Sequence, residues 1–454
     1  MLGAVLFVGC LDRDIAYEQP LGMRTPKIER PEDFPWVSGT EFVFVVDDSI
    51  SMGDKQRVLA QSLIRASGYF TRCVDPRTPA RWLPAINGQC PPGMIWSGSI
   101  LSAENASIIT TSVGAGGIAC SEDDLGARLI DSPTAQELRD SEGEPFGPLL
   151  SHVGEKGCGF EGPLEAMYRF LVDPEPPSGI GTDTVDGQVL TVPKAVDETL
   201  LAQRARALKP LSQVVVVIVT DEDDCSVSDR GDAWKMGADP GLARGSSACA
   251  EAGSSCCRAC DATEAAPPEG CEPLSQDPVC SAATTWEPDE DPPNLRCWQQ
   301  RRRFGRDWLF PIERYTEALT APTIVTRTGQ SVPNPLFEHG RTPDMVSVVL
   351  LSGVPWQDLV TPETVASEEV MKFLTPAELE SGGAWPRVLG DPNGGILPTD
   401  PHLRESVAPR PELPSAGGEW DPIHGHEVVW PDAEELQYSC IFALPEPSAC
   451  EGEA

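Results

Sequence analysis

The chain has 454 residues and sets 34 Lys and Arg against 70 Asp and Glu, a formal net charge of −36. Phosphate tracking needs a basic face with counterions to release, so DNA and RNA are excluded as partners. Fifteen Cys beside 5 His do not suit metal ligation in a reducing cytosol and point to an exported, oxidised protein with disulfides.

Residues 1–10 are mostly apolar up to Cys10. The run is far shorter than the roughly 20 apolar residues that span a bilayer, and it reads as the remnant of a secretion signal. Phe7-Val8-Gly9-Cys10 resembles a bacterial lipobox, which implies lipid attachment at Cys10 and an exported protein held at the outer membrane or cell surface by that anchor alone. Setting Cys10 aside leaves fourteen of the 15 thiols, enough for seven disulfides whose connectivity the sequence does not fix. The alternative is a core strand ending in an ordinary Cys. Residues 11–36, Pro-bearing and without periodicity, read as a tether.

Glu41 to Asp47 is a continuous apolar run closed by acid, the pattern of a parallel strand buried on both faces. Lys55 to Phe70 follows as a helix with Leu59, Leu63, Ala66 and Phe70 on one face. Ala106 to Val113 is a weaker strand. A helix opens at Gly162-Pro163 with Leu164, Met167, Tyr168 and Leu171 on its apolar side and Glu165 four residues before Arg169. Asp197 to Leu208 is helical up to the stop at Pro210. Gln213 to Thr220 holds six consecutive β-branched residues and belongs near the centre of a sheet. Composition then shifts to Cys, Gly, Ala, Ser and Pro over 225–297, the mark of a disulfide-stapled insertion. Residues 297–319 predict a helix perturbed at Pro311, and Asp344 to Gly353 a further buried strand. Residues 359–454 read as an irregular, Pro/Gly-rich extension in which Cys440 and Cys450 can close a clip. Alternating strands and helices define an α/β class with a doubly wound, mostly parallel sheet over 37–358.

Open parallel sheets bind ligands beyond the carboxyl ends of their strands. Two strands here end in oxygen-rich clusters, Asp47-Asp48-Ser49-Ile50-Ser51 and Thr220-Asp221-Glu222-Asp223-Asp224. Alternate residues Asp47, Ser49 and Ser51, joined by Asp221, can turn hard oxygens toward one point, which suits Mg²⁺ or Ca²⁺. The competing reading is that Asp47 and Ser49 only satisfy turn amides or cap the following helix, and that the acidic run is a solvated loop.

Val45-Val46-Asp47-Asp48-Ser49-Ile50-Ser51-Met52 resembles the metal-ion-dependent adhesion motif of von Willebrand factor type A domains, Asp-x-Ser-x-Ser after the first sheet strand. Val217 to Asp221 resembles the strand that supplies the family's distal Asp, and Val346 to Pro355 the strand after it. The resemblance implies a Rossmann-like sheet in which Ser49 and Ser51 bind a divalent cation directly while Asp47 and Asp221 act through water or hydrogen bonds. It departs at the family's middle Thr, where this chain has Glu161. Either Glu161 takes that place, adding charge, raising affinity for Ca²⁺ and occupying a position that a partner's carboxylate would use, or the site is degenerate and metal binding is weak.

Three other signals carry less. Cys256, Cys257, Cys260, Cys271 and Cys280 imitate a zinc knuckle, but without His nearby disulfides account for them better. His424, His426 and Glu427 form a short cluster on the Pro-rich tail, and Arg230-Gly231-Asp232 is an integrin-type tripeptide that chance explains. No Gly-x-Ser-x-Gly elbow or phosphate loop is present, so a non-enzymatic role is expected. The expected function is cation-dependent binding or adhesion to an extracytoplasmic protein or glycan. The alternatives are a metal-assisted hydrolase built on Asp221, Glu222, Asp223 and Glu161, and a structural envelope protein that has lost its metal.

Overall fold

The computed structural model describes residues 5–6, 39–60 (except 54, 57 and 58), 71–84, 90, 92–99, 106–113, 127–130, 150, 399–400 and, with short gaps, 152–390. Cys10, the 11–36 tether, helix residues 61–70, His424, His426, Glu427, Cys440 and Cys450 lie outside the described residues.

The apolar runs form the expected sheet. Strands β1 (Thr40–Val46), β2 (Ala106–Thr110), β3 (Gln213–Val219) and β4 (Val346–Leu351) lie in the spatial order β2-β1-β3-β4, all parallel. Val5–Leu6 adds a short parallel strand beside Val349 and Leu350 of β4. Six β-branched residues in a row make sense at β3 because it is the middle strand. Val43, Val45, Val214, Val216 and Ile218 point to one face, while Phe44, Val46, Val217 and Val219 point to the other. Each such side chain contributes roughly 1.5–3 kcal/mol when fully buried, so both faces must be covered.

The first face is covered by helices α1 (Pro163–Leu171), α2 (Glu198–Ala207) and, after a further helix α3 (Gln300–Phe304), α4 (Glu313–Ala318), through Met167, Phe170, Leu171, Leu200 and Tyr315. Met52, Leu150 and Val153 cover the second, with Leu59 and Ala60 of the helical stretch after β1 beside them. Helical cover on both faces of a parallel sheet is the expected α/β arrangement.

Helix α1 begins at Pro163 after Gly162, whose lack of a side chain leaves the first amides without a local cap. The acidic loop supplies one from across the molecule: Asp224 Oδ1 accepts from Leu164 N at 3.0 Å and Ser226 Oγ from Glu165 N at 2.8 Å. At the other end, buried Arg204 of α2 donates to the carbonyls of Arg169, Phe170 and Asp173, satisfying the end of α1. The Glu165–Arg169 pair forms at 3.0 Å and is buried, with Arg314 and the Tyr315 hydroxyl also bound to Glu165.

Residues 225–297 are stapled by the disulfides Cys225–Cys297, Cys249–Cys257, Cys256–Cys271 and Cys260–Cys280. Cys90 is also disulfide-bonded. The segment shares a second core with its flanks, in which Met236 and Leu242 pack with Phe160, Phe304, Trp308 and the Cys225–Cys297 bridge.

Three expectations change. The helix over 297–319 is two helices, and the interruption between them begins at Gly305 and includes Pro311, where the perturbation is expected. Gly305 has φ 67°, and a Cβ there would stand 2.3 Å from the backbone of Arg258 and Ala259. Three antiparallel elements enlarge the strand inventory: the sheet of Thr71–Asp75, Thr78–Pro84 and Ile95–Ser99, the hairpin Ile180–Val185 with Gln188–Pro193, and the short hairpin Thr323–Val325 with Ser331–Pro333. Part of the C-terminal extension is helical, with a Thr375–Glu378 capping box opening Pro376–Ser381 and a second helix at Ala384–Leu389. Among the described residues no helix is long and apolar enough to cross a membrane.

Candidate metal site at the strand ends

The chain leaves β1 for β2 on one side and later returns to β3 on the other, so the strand order reverses between β1 and β3. That switch point opens a crevice at the carboxyl ends of the two strands, and both oxygen-rich clusters border it. The Asp47 amide donates to Val219 O at 2.9 Å, stitching the two strand ends together.

Five sequence-predicted residues meet here. Asp47 is fully buried; its Oδ1 accepts from the Ser49 amide at 2.9 Å and its Oδ2 from the Thr220 hydroxyl at 2.7 Å. Ser49 Oγ lies 3.0 Å from Ser51 Oγ, and Ser51 Oγ donates to Asp221 Oδ1 at 3.3 Å. Glu161 is fully buried, and its carboxylate faces those of Glu222 and Asp47. The turn-satisfying reading accounts for Asp47. It does not account for Ser49, whose hydroxyl makes no cap bond to the short helical turn Ile50–Met52, nor for Glu161.

Several contributors were not visible in the sequence pattern. Lys55 Nζ pairs with Asp221 Oδ2 at 2.6 Å and donates to Ser51 O at 3.0 Å. Gln56 bridges Asp47 O and Gly154 O, both at 2.9 Å. Asp48 turns away from the crevice and accepts from Ser112 Oγ at 2.9 Å and Thr111 Oγ1 at 3.2 Å, tying the loop after β1 to the loop after β2. The spacing of Lys55 and Gln56, four and five residues past Ser51 on a helix, was the available signal for those two. Thr111 and Ser112 arrive only through strand pairing.

Packing acids this closely has a cost. Burial, reinforced by the Asp221 charge, pushes the Asp47 carboxyl up to about 7. Burial and the charges of Glu222 and Asp47 hold Glu161 well above the usual carboxylate range. Burial also raises Asp223 and Asp224 to about 6. No amide, hydroxyl or cationic group bonds either carboxyl oxygen of Glu161, or Asp223 Oδ2. The acidic run is solvated only in part: Glu222 is exposed and Asp221, Asp223 and Asp224 are half-buried, with Asp221 held by Lys55 and Ser51 and Asp224 capping α1.

The donor chemistry fits a hard cation. The two serine hydroxyls and the carboxylates of Asp47 and Asp221 supply only oxygen, and Glu161 is a buried acid whose neighbours are acids. The set is not a cage of soft or charged ligands alone; among the described residues no group of three or more His, Cys, Asp or Glu is arranged to hold a metal.

The other sequence signals resolve into structure. The five Cys of the apparent zinc knuckle are all in disulfides. Asp232 of the Arg230-Gly231-Asp232 tripeptide is occupied by Trp308 Nε1 at 3.0 Å and Arg306 at 2.9 Å. No known protein family, curated protein or solved structure matches this chain.

Proposed function

We propose that the chain is a von Willebrand factor type A-like binding protein, exported and lipid-anchored through Cys10, that engages an extracytoplasmic protein or glycan by way of a divalent cation at the strand ends. The observation that carries the reading is the convergence of Ser49, Ser51 and Asp221 with Asp47 at the switch point of a parallel sheet. Ser49 and Ser51 would hold Mg²⁺ or Ca²⁺ through their hydroxyls. Asp47 and Asp221 orient those hydroxyls and balance charge, and Thr220 and Gln56 fix Asp47. A bound cation would supply a Lewis-acidic position for an oxygen of the partner.

Calorimetric titration of the full chain with MgCl₂ and CaCl₂ tests this. One saturable site is expected in the wild type, and none in a Ser49→Ala/Ser51→Ala variant that melts at the wild-type temperature in EDTA. Absence of heat and of any melting shift with either cation would sink the proposal.

A further inference from the structure

Glu161 is the least comfortable residue in the fold. It is fully buried, no amide, hydroxyl or cationic group bonds its carboxyl oxygens, and the groups facing it, Asp47 and Glu222, the latter close enough to share a proton, are themselves acids. The nearby ammonium of Lys55 is committed to Asp221 and the Ser51 carbonyl. Out of water and beside two other acids, Glu161 has to be neutralised, either by a proton shared with Glu222 or by a cation.

The backbone holds it there. The Cys225 amide donates to Glu161 O at 2.7 Å, and the Gly162 amide to Thr111 O at 3.0 Å. One step earlier Phe160 is packed in the core it shares with the 225–297 segment, and two steps later Pro163 starts α1. A Cβ on Gly162 would stand 2.8 Å from Val113 Cγ2, so the segment lies tight against the end of β2. Farther back, the Gly157 amide donates to Asp48 O at 2.7 Å, fixing the loop against the Asp47–Ser51 turn. Glu161 is thus held facing the crevice from three loops at once.

We propose that Glu161 is an inner-sphere ligand of the cation and the residue that makes the site select Ca²⁺ over Mg²⁺. The inference rests on the cation-binding reading above and adds the residue that sets its specificity. Ca²⁺ accepts six to eight oxygens in flexible geometry and gains affinity with each added carboxylate, whereas Mg²⁺ demands a near-ideal octahedron and retains its waters. A rigidly held carboxylate in the inner sphere beside the Ser49 and Ser51 hydroxyls, with Asp47 and Asp221 outside it, favours the former.

The test uses the full chain, Ca²⁺, Mg²⁺ and Tb³⁺ as probes, and the variants Glu161→Gln and Glu161→Thr. Wild type is expected to bind Ca²⁺ at least about tenfold more tightly than Mg²⁺, and Glu161→Gln to lose about tenfold or more of the Ca²⁺ affinity. Tb³⁺ emission lifetimes in H₂O and D₂O count bound waters, and Glu161→Gln should gain about one as the lost oxygen is replaced. Glu161→Thr should narrow or reverse the Ca²⁺ preference. In EDTA both variants should melt at or above the wild-type temperature, because a buried acid has been removed, and Ca²⁺ should raise their melting temperature less. Unchanged Ca²⁺ affinity and hydration in Glu161→Gln would overturn the inference and show that Glu161 is neutralised by a proton shared with Glu222, while the Ser49 and Ser51 site would still stand. Loss of cation binding in wild type itself would remove both.

Discussion

Asp221 carries two demands on one carboxylate: Lys55 takes Oδ2 at 2.6 Å and the Ser51 hydroxyl reaches Oδ1 at 3.3 Å. A cation bound to Ser51 competes with the ammonium for the same charge, so Lys55→Met should raise divalent-cation affinity by roughly threefold, the worth of a partly exposed pair. The same variant in EDTA should be less stable by about 0.5–1 kcal/mol. A titration in which Lys55→Met binds more weakly would instead make Lys55 a positioning group for Asp221. Proton binding tells the same story from the other side. Asp47 sits up at about 7 and Asp223 and Asp224 at about 6 in the folded chain, against about 3.9 when unfolded. The metal-free fold therefore takes up protons more readily than the unfolded chain, and stability present near pH 4–5 is lost as pH rises through 6 and 7. Melting temperatures in EDTA should fall over that window, and saturating Ca²⁺ should remove much of the fall. A flat or rising EDTA profile would count against the burial of these acids. Asp47, Ser49, Ser51 and Asp221 were legible in the sequence because each follows a strand whose apolar run announces it; Lys55, Thr111 and Ser112 become contributors only once strands and loops meet in space.

The same contrast separates the helices and strands that could be read from those that could not. Strands β1, β3 and β4 were visible because a strand buried on both faces must be apolar at every position, and α1 because Pro163, Glu165 and Arg169 mark its turns. The exposed hairpin was missed although Asp186-Gly187, with φ 51° and 78°, is the turn chemistry such hairpins need; its strands are polar and lack the buried pattern. Gly305 was passed over because what stops α3 is the backbone of Arg258 and Ala259, distant in sequence. Gly305→Ala should accordingly destabilise the 225–297 segment by more than 1 kcal/mol, since it combines a left-handed φ with a backbone clash, and this is measurable as earlier urea unfolding. The cap on α1 is likewise a long-range product. Ser226 Oγ both accepts from Glu165 N and donates to Asp224 Oδ1, each at 2.8 Å, and Ser226 is fully buried. Ser226→Ala leaves the Glu165 amide unsatisfied and takes from Asp224 one donor while Leu164 N and Ser226 N remain, and should cost about 1–3 kcal/mol. A loss below a few tenths of that would mean the helix end finds another partner.

The 225–297 segment is tied to the strand-end loops, because its core takes in Phe160 and its Cys225–Cys297 bridge starts next to Asp224. Phe160 is the residue before Glu161 and Cys225 the residue after the acidic run, and both pack in the core that Met236, Phe304 and Trp308 build. Cys225–Cys297 closes a stretch of 72 residues, for which the chain-entropy account gives about 4 kcal/mol. Cys256–Cys271 closes 15 residues, worth about 3 kcal/mol on the same account, yet it lies within the segment and touches none of the strand-end loops. Stability alone therefore predicts similar effects for opening either bridge, whereas a buttressing role predicts a difference in cation binding. Removing Cys225 and Cys297 together should lower the melting temperature and weaken cation affinity by about tenfold, as loss of a supporting group around a metal site commonly does. Removing Cys256 and Cys271 should lower the melting temperature with affinity unchanged. Equal affinities in the two variants, measured by titration below both melting transitions, would confine the segment to a stabilising role. Unequal ones would make the Cys225–Cys297 bridge the means by which an oxidised compartment keeps the site formed: reduction would slacken the loop that carries Asp221 together with the segment that aims Glu161.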